Sequence, residues 1–296
     1  MRKLIIVSIY IISAIASYAQ SADTITWKKG GLTSLGLSQS SFTNWAAGGI
    51  NNVNITALVS LYANRKTAKT NWENNLDLGY GLQKISDDPY RKSEDRIELN
   101  SKWGMRMTDK VNYSALLNFR SQFVEGFNFT DTSTVYVSNF LAPSFTTFSL
   151  GLDYKPVDGL SIYYSPFTGK VTTVFDDRLS AAGAFGVDSG ERIRYELGTL
   201  AAVKYQKNIA PNIQIKSKID LFANFQTMQA IDVNWENILS FQIQKLLTAT
   251  LTTNLVYDQD ILIPQREETS AGVFAEVNRP RTQFKQVFSL GLTYKF

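Results

Sequence analysis

The 296-residue chain contains no cysteine and no histidine. Without cysteine there is no disulfide framework and no lipid-bearing cysteine behind a leader, so the fold must hold by hydrogen bonding and packing alone. Without histidine, Ser-His-Asp hydrolysis and Asp-His protease chemistry are excluded. The two absences together remove most transition-metal sites. Carboxylate-only chemistry such as glycoside hydrolysis survives, but no acidic pair stands out, and no residue is assigned a catalytic, cofactor-binding or metal role. Beyond Gln20 the chain also lacks an apolar run long enough for a membrane-spanning helix, which needs roughly 20 residues. Charge of one sign is lacking too. The formal net charge is +4, and removing Arg2 and Lys3 with a leader lowers it to +2, which gives no support to nucleic-acid binding.

What is present begins with a leader. Arg2 and Lys3 form a positive start, Leu4 to Ile15 are apolar, and Ser17-Tyr18-Ala19 reads as a small-x-small cleavage site. This is the pattern of a secretory signal peptide, too short for a membrane anchor. The expected division is therefore a leader at 1–19 and one domain at 20–296. The C-terminal stretch is equally informative. Phe288, Leu290, Leu292, Tyr294 and Phe296 alternate with Ser289, Gly291, Thr293 and Lys295. A period of two puts the apolar set on one strand face and the polar set on the other. A last strand ending on an aromatic residue resembles the assembly signal of outer-membrane barrels, here carried by Tyr294 and Phe296.

The same alternation recurs through the mature chain. Twelve segments carry it, at 32–39, 53–61, 71–83, 97–106, 111–123, 148–155, 160–165, 195–206, 213–225, 232–243, 247–257 and 288–296. Most are close to the roughly 9–11 residues that cross a bilayer at a tilt. Short connections at 65–69, 108–110, 156–159, 208–212 and 244–245 alternate with mostly longer ones at 40–49, 84–91, 124–143, 166–193 and 258–281, the exception being 226–230. Mean hydropathy is only −0.13, as expected where every second strand residue meets lipid, and 18 Phe and 14 Tyr can supply interfacial girdles. A soluble β-sandwich also shows alternation, but strand length, leader and C-terminal strand together point elsewhere. The expectation is an all-β, transmembrane antiparallel barrel of about 12 strands (range 10–14) in the outer membrane of a Gram-negative cell. Short turns and both termini would be periplasmic.

Several segments carry a family likeness. They are Ser41-Phe42-Thr43-Asn44-Trp45-Ala46-Ala47-Gly48-Gly49, Asn71-Trp72-Glu73-Asn74-Asn75-Leu76-Asp77-Leu78-Gly79-Tyr80-Gly81, Ser138-Asn139-Phe140-Leu141-Ala142-Pro143, Ser165-Pro166-Phe167-Thr168-Gly169-Lys170 and Ala182-Gly183-Ala184-Phe185-Gly186-Val187. The chain resembles, over nearly its whole mature length, a Bacteroidetes outer-membrane barrel family of unknown function. The resemblance implies a fold and a location and brings no catalytic residues.

Two apparent motifs fail on inspection. Gly169-Lys170 lacks the rest of a phosphate loop, with Tyr164 and Val171 where glycine and Ser or Thr belong. Gly79-Tyr80-Gly81 lies in a strand, where glycine eases curvature or leaves lumen space. The polar strand faces are more informative. Glu98 is expected opposite Arg120, and Glu73 opposite Lys102 or Arg106. With Asp77 these make a lumen charge network of favourable cross-strand pairs, read either as a neutralised, stiffened lumen or as the wall of a selective pore. In the loops, Asp87-Asp88, Asp176-Asp177, Asp258 with Asp260, and Glu267-Glu268 are candidates for calcium or divalent bridges to lipopolysaccharide. Arg91, Lys92, Arg279 and Arg281 are candidates for lipid phosphates. For each, ordinary solvated charge is the alternative. The apolar stretches containing Phe42, Asn44, Trp45, Gly48 and Gly49, and then Phe185, are expected to fold inward as a plug or to form a partner surface.

Expected partners are the lipid bilayer and lipopolysaccharide, the barrel assembly machinery, and an envelope protein; no cofactor is expected. Two functions remain open. One is a narrow channel for small solutes; the other is a closed barrel serving an envelope assembly.

Overall fold

The computed structural model describes residues 25–41, 51–86, 88–129, 134–228, 230–270 and 273–296. The leader at 1–19 and the stretch from Phe42 to Gly49 lie outside the described residues.

The wall begins with β1 (Thr26–Ser40), β2 (Asn52–Lys66), β3 (Thr70–Ile85), β4 (Arg91–Arg106) and β5 (Val111–Ser121). It continues through β8 (Ser144–Tyr154), β9 (Leu160–Thr173), β10 (Ile193–Ala210), β11 (Ile213–Asn224), β12 (Ile231–Gln242), β13 (Leu247–Tyr257) and β16 (Gln283–Lys295). These 12 strands pair antiparallel in chain order, and β16 closes on β1. Closure is what a lipid-embedded sheet requires, because an open edge would leave backbone groups unpaired in hydrocarbon. At the seam, Leu32 to Gly36 face Lys295 to Gly291, and Gly31 and Phe296 exchange both backbone hydrogen bonds, at 2.9 and 3.0 Å.

An even strand count puts the start of β1 and the end of β16 at one rim. The turns at 67–69, 107–110, 155–159, 211–212 and 243–246 lie at that rim, and the long connections lie at the other, together with the short one at 225–230. Two of the long connections, expected as loops, fold into hairpins of their own: β6 (Gly126–Phe129) with β7 (Thr134–Ser138), and β14 (Leu262–Ser270) with β15 (Val273–Pro280).

Burial separates this wall from a soluble sandwich. Large apolar side chains stand exposed along it, including Leu197 at 69%, Phe167 at 73% and Phe288 at 67%. Its fully enclosed residues are polar, with Ser149, Asp153 and Ser165 at 0% and Thr168 at 1%. This inverts the soluble pattern and is what a lipid-facing exterior around a polar interior requires. Near the short-turn rim, Trp72 sits opposite Trp103 in register, Trp27 packs 6.3 Å from Trp72, and Tyr294 stacks on Phe296. Aromatic rings gather at such a level because they are apolar in body and polar at the tip. The chain is a transmembrane antiparallel β-barrel.

One strand departs from the expected reading. The seventh segment was expected to end near Ser165, yet β9 runs on to Thr173. The reason is a bulge. Leu150 and Leu152 of β8 face Phe167 and Tyr164, and Gly198 and Leu200 of β10 face Thr168 and Ser165. One extra residue sits at Pro166–Phe167, and proline is tolerated there because a bulge residue need not donate to the ladder. The bulge switches strand parity, so Tyr163 and Ser165 point inward below it and Thr168 and Lys170 above it.

A charge on the outer face should break the barrel. Leu150, near mid-height of β8 and 55% exposed, faces lipid, and Leu150→Arg should cost about 2–4 kcal/mol. Urea titration of the protein folded in vesicles measures this; no shift in the midpoint would contradict the assignment of that face.

Candidate functional site

Strand parity directs many polar side chains inward, beside an apolar patch of Tyr163, Leu200 and Phe222 packed with Leu116 and Ala202. Glu73, Asn75 and Asp77 come from β3, Arg96, Glu98, Asn100 and Lys102 from β4, and Asn118 and Arg120 from β5. Across from them stand Lys204 of β10, Lys216, Lys218 and Asp220 of β11, and Asp232, Asn234 and Glu236 of β12. They surround a cavity of about 250 Å³.

The register places Glu73 opposite Lys102 and Glu98 opposite Arg120. The ion pairs, however, are formed with other partners. Glu73 binds Lys155 at 2.5 Å, Lys102 binds Asp153 at 2.8 Å and Glu98 binds Lys218 at 3.0 Å. Paired positions on neighbouring strands send their side chains side by side into the lumen, and a long lysine arm reaches a carboxylate on a more distant strand. Lys102 also donates to the Ser161 hydroxyl at 2.9 Å, which in turn donates to Asp153. Asp77 lines the cavity opposite Glu98 in register. Arg106 does not join the network: it is exposed at the short-turn rim, opposite Asn112. The backbone geometry that settles the register at Lys102 leaves Arg106 outside the lumen.

Two ion pairs cross the barrel. Arg96 meets Glu236 at 2.5 Å and Glu98 meets Lys218 at 3.0 Å. β4 and β12 stand half a ring apart, and β11 is the next strand over. These bridges join opposite walls at mid-height and divide the lumen. Higher up, Lys285 of β16 reaches Glu94 of β4 in a further long-range pair.

Toward the long-loop rim the centre is Lys170. Its ammonium lies 2.6 Å from Asp232, 3.4 Å from Asp258 and 3.6 Å from Glu196. It also sits over the rings of Phe222 and Phe145, at 5.3 and 5.9 Å. Glu196 is held further by Asn224 at 3.0 Å and Arg194 at 3.4 Å, and Arg194 in turn binds Asp260 at 2.6 Å. Lys170 enters the lumen only because of the β9 bulge. Strict alternation from Tyr163 would aim it at lipid, which is why the sequence pattern hid it. The lysines of β10 and β11 and the acids of β12 were visible on their strands' polar faces. Their mutual pairing was not, since it depends on how the ring closes.

The long loops form a platform above this lumen. Helix α1 (Asp177–Ala181) is capped by Asp176, whose carboxylate accepts from the amides of Arg178 and Leu179. Asp176 also accepts from the Tyr136 hydroxyl at 2.6 Å, and Arg178 lies 3.8 Å over the Tyr136 ring. Around this knot Ala142, Val174, Leu179 and Val187 are buried, with Phe185 packed against them. In the apolar stretch expected as a plug or partner surface, Phe185 is partly buried against this small loop core. The loop acids expected as divalent sites have basic neighbours: Asp88 pairs with Arg91, Asp177 with Arg192 and Asp260 with Arg194. Among the described residues no group of acids is arranged to hold a metal. The side chains of Glu267 and Glu268, and Asp87, lie outside the described set.

Comparison with known proteins gives one family match over part of the chain and several distant structural likenesses. Residues 37–127 match the model of a family described as a protein of unknown function, DUF3078. No curated protein matches the chain in sequence. Among solved structures it is similar to the COG4313 outer membrane channel from Pseudomonas putida F1, at 10% identity and a TM-score of 0.39, covering 93% of this chain and 96% of that one. It is also similar to OmpT, an outer membrane protein of Vibrio cholerae, at 8% identity and 0.33, covering 94% and 99%. A Pseudomonas aeruginosa FadL homologue aligns at 10% identity and 0.29, covering 91% of this chain and 75% of that one.

Two outcomes follow from the site. Lys170→Met should destabilise the barrel by about 3–5 kcal/mol, because it strands acids that a buried cation had compensated. Adding Asp232→Asn should recover part of the loss in the same urea titration, and full tolerance of Lys170→Met alone would refute the account. In the loop platform, the Tyr136 hydroxyl bond, then the amides at the cap, hold the Asp176 carboxyl below the usual carboxylate range. A depressed folded pKa contributes stability that is present above the unfolded value and lost as pH falls through the folded one. The α1 loop should therefore stay protease-resistant at pH 5–7 and become cleavable only in stronger acid. Asp176→Ala, which removes a cap worth about 1 kcal/mol, should become cleavable at neutral pH.

Proposed function

We propose that the chain is an outer-membrane protein whose lumen is a narrow passage for small solutes, constricted where the Arg96–Glu236 and Glu98–Lys218 pairs cross it. The observation that carries this reading is a ring of charged and polar side chains around a cavity, interrupted by the apolar cluster of Tyr163, Leu200 and Phe222, inside a wall whose outer face is apolar. With the short turns in the periplasm and the long loops outside, both ends of the wall are periplasmic. Lipopolysaccharide would meet the loop rim, and the aromatic pair Tyr294–Phe296 would be read by the barrel assembly machinery. The reading is of a passage rather than an enzyme, in keeping with a chain that has neither histidine nor cysteine for nucleophilic or metal chemistry.

A second reading is supported by the same cross-lumen pairs: a closed, braced barrel that serves an envelope assembly through its loops. Conductance separates the two. The folded protein in a planar bilayer should show small, salt-dependent steps, and the paired Arg96→Ala, Glu236→Ala variant should show larger ones, because the pair narrows the lumen from opposite walls. Silence from both proteins, with folding established by heat-shifted gel mobility, would overturn the passage and leave the closed barrel.

A further inference from the structure

The lumen lysines at and below the constriction are not all neutralised. Lys102 is taken by Asp153, Lys155 by Glu73, and Lys218 by Glu98 and Asp220, at distances from 2.5 to 3.2 Å. Lys204 and Lys216 line the same cavity, yet among the described residues neither has a carboxylate within ion-pair distance. Their placement is adverse to stability. Lys204 of β10 stands directly opposite Lys218 of β11, and Lys216 is the next inward residue on β11, opposite Gln206. Like charges at facing positions repel, with side chains about 5 Å apart at their bases. A wall selected only for rigidity would carry an acid or a neutral residue at one of these positions, as it does where Lys218 faces Glu236 on the next strand.

The surrounding balance points the same way. Every other lumen carboxylate already belongs to an ion pair, which leaves Asp77 as the one unpaired acid among the described lining residues. It is outnumbered by Lys204, Lys216 and Arg120. The carboxylates gathered on Lys170 lie toward the opposite rim, and salt confines charge effects to within about 8 Å at physiological strength. The lower lumen is therefore locally cationic, with two ammonium groups facing the cavity and a neutral amide, Gln206, beside them.

We propose that Lys204 and Lys216 form an anion-binding site in the lower lumen, and that the solutes of this barrel are small multivalent anions bearing phosphate or carboxylate groups. An ammonium is a compact charge with rotatable donors. Two of them, on adjacent strands and one inward step apart, can share the oxygens of one anion while Gln206 donates a third contact. The naming of the solute class rests on the passage proposed above; the binding site itself does not.

The test is calorimetric titration of the detergent-folded full chain at low salt, with inorganic pyrophosphate and succinate as probes, beside conductance of the same preparation. Wild-type protein should bind at least one probe, more weakly as sodium chloride rises. Lys204→Gln with Lys216→Gln should weaken binding on the order of ten-fold or more, since a hydrogen bond to a charged group is worth that much. Lys204→Arg should keep it. The double Gln variant should also be no less stable in urea, because it removes a repulsion; a loss of stability would show the lysines to be structural and overturn the site. Stronger binding of pyrophosphate assigns phosphate chemistry, and stronger binding of succinate assigns carboxylate chemistry. No binding of either, or equal binding by the double variant, overturns the site. A conducting barrel that neither probe blocks also overturns it while leaving the passage intact. A silent barrel that binds pyrophosphate through these lysines keeps the site and removes the passage.

Discussion

Everything in this barrel depends on one constraint: a backbone amide or carbonyl placed in hydrocarbon must find a partner in the protein, at a cost of several kcal/mol if it does not. The sheet therefore closes, β16 onto β1. Closure with antiparallel neighbours fixes the parity of every strand, and parity sorts the side chains. Phe288, Leu290 and Leu292 fall on the lipid side because Ser289 and Gly291 fall on the other. The lumen's charge is thus a consequence of the wall's pairing. Ring closure then decides which charges meet, bringing β4 within reach of β11 and β12 across the centre.

The architecture was largely legible in the sequence because it is written with period two. Number of wall strands, antiparallel order and the division into long and short connections all follow from that period and agree with the structure. The candidate site was legible only in part. The positions of Glu73, Glu98, Lys102 and Arg120 on inward faces are local facts of alternation, and so are their register neighbours. Their ionic partners are not local. No pattern within β4 announces that Arg96 will meet Glu236, because the distance between them is set by the ring. Arg106 shares the parity of Lys102 and still misses the lumen, since height along the strand matters as much as face. Lys170 was hidden for a different reason. The Pro166–Phe167 bulge breaks the period, and a sequence reading that follows alternation ends the strand where the phase changes.

The bulge shows how a local irregularity can organise a distant cluster. Proline there has no amide to donate, the Ser165 hydroxyl donates to the Leu150 and Phe167 carbonyls, and Thr199 donates to the Ser165 carbonyl at 2.9 Å. The irregular backbone is satisfied by side chains rather than by lipid. The one-residue change of phase turns Lys170 from the lipid face to the lumen, where three carboxylates converge on it. An expensive charge has been moved to the place where it offsets others. The same logic accounts for the loops above, where Asp176 serves as helix cap and hydrogen-bond acceptor at once and lets a few apolar residues build a second small core.

A lumen narrowed by side chains differs physically from one narrowed by backbone. The Arg96–Glu236 and Glu98–Lys218 pairs brace opposite walls, yet each is a contact between side-chain arms, largely buried, whose charges need a partner more than they need one particular partner. A solute that offers its own charge can replace one partner at small net cost, whereas a backbone constriction would have to be unfolded. Among the described residues, Lys204 and Lys216 have no such partner to release. In a lumen whose described acids other than Asp77 are already engaged, on this proposal the unpaired cations set the sign of what binds and the crossing pairs its size.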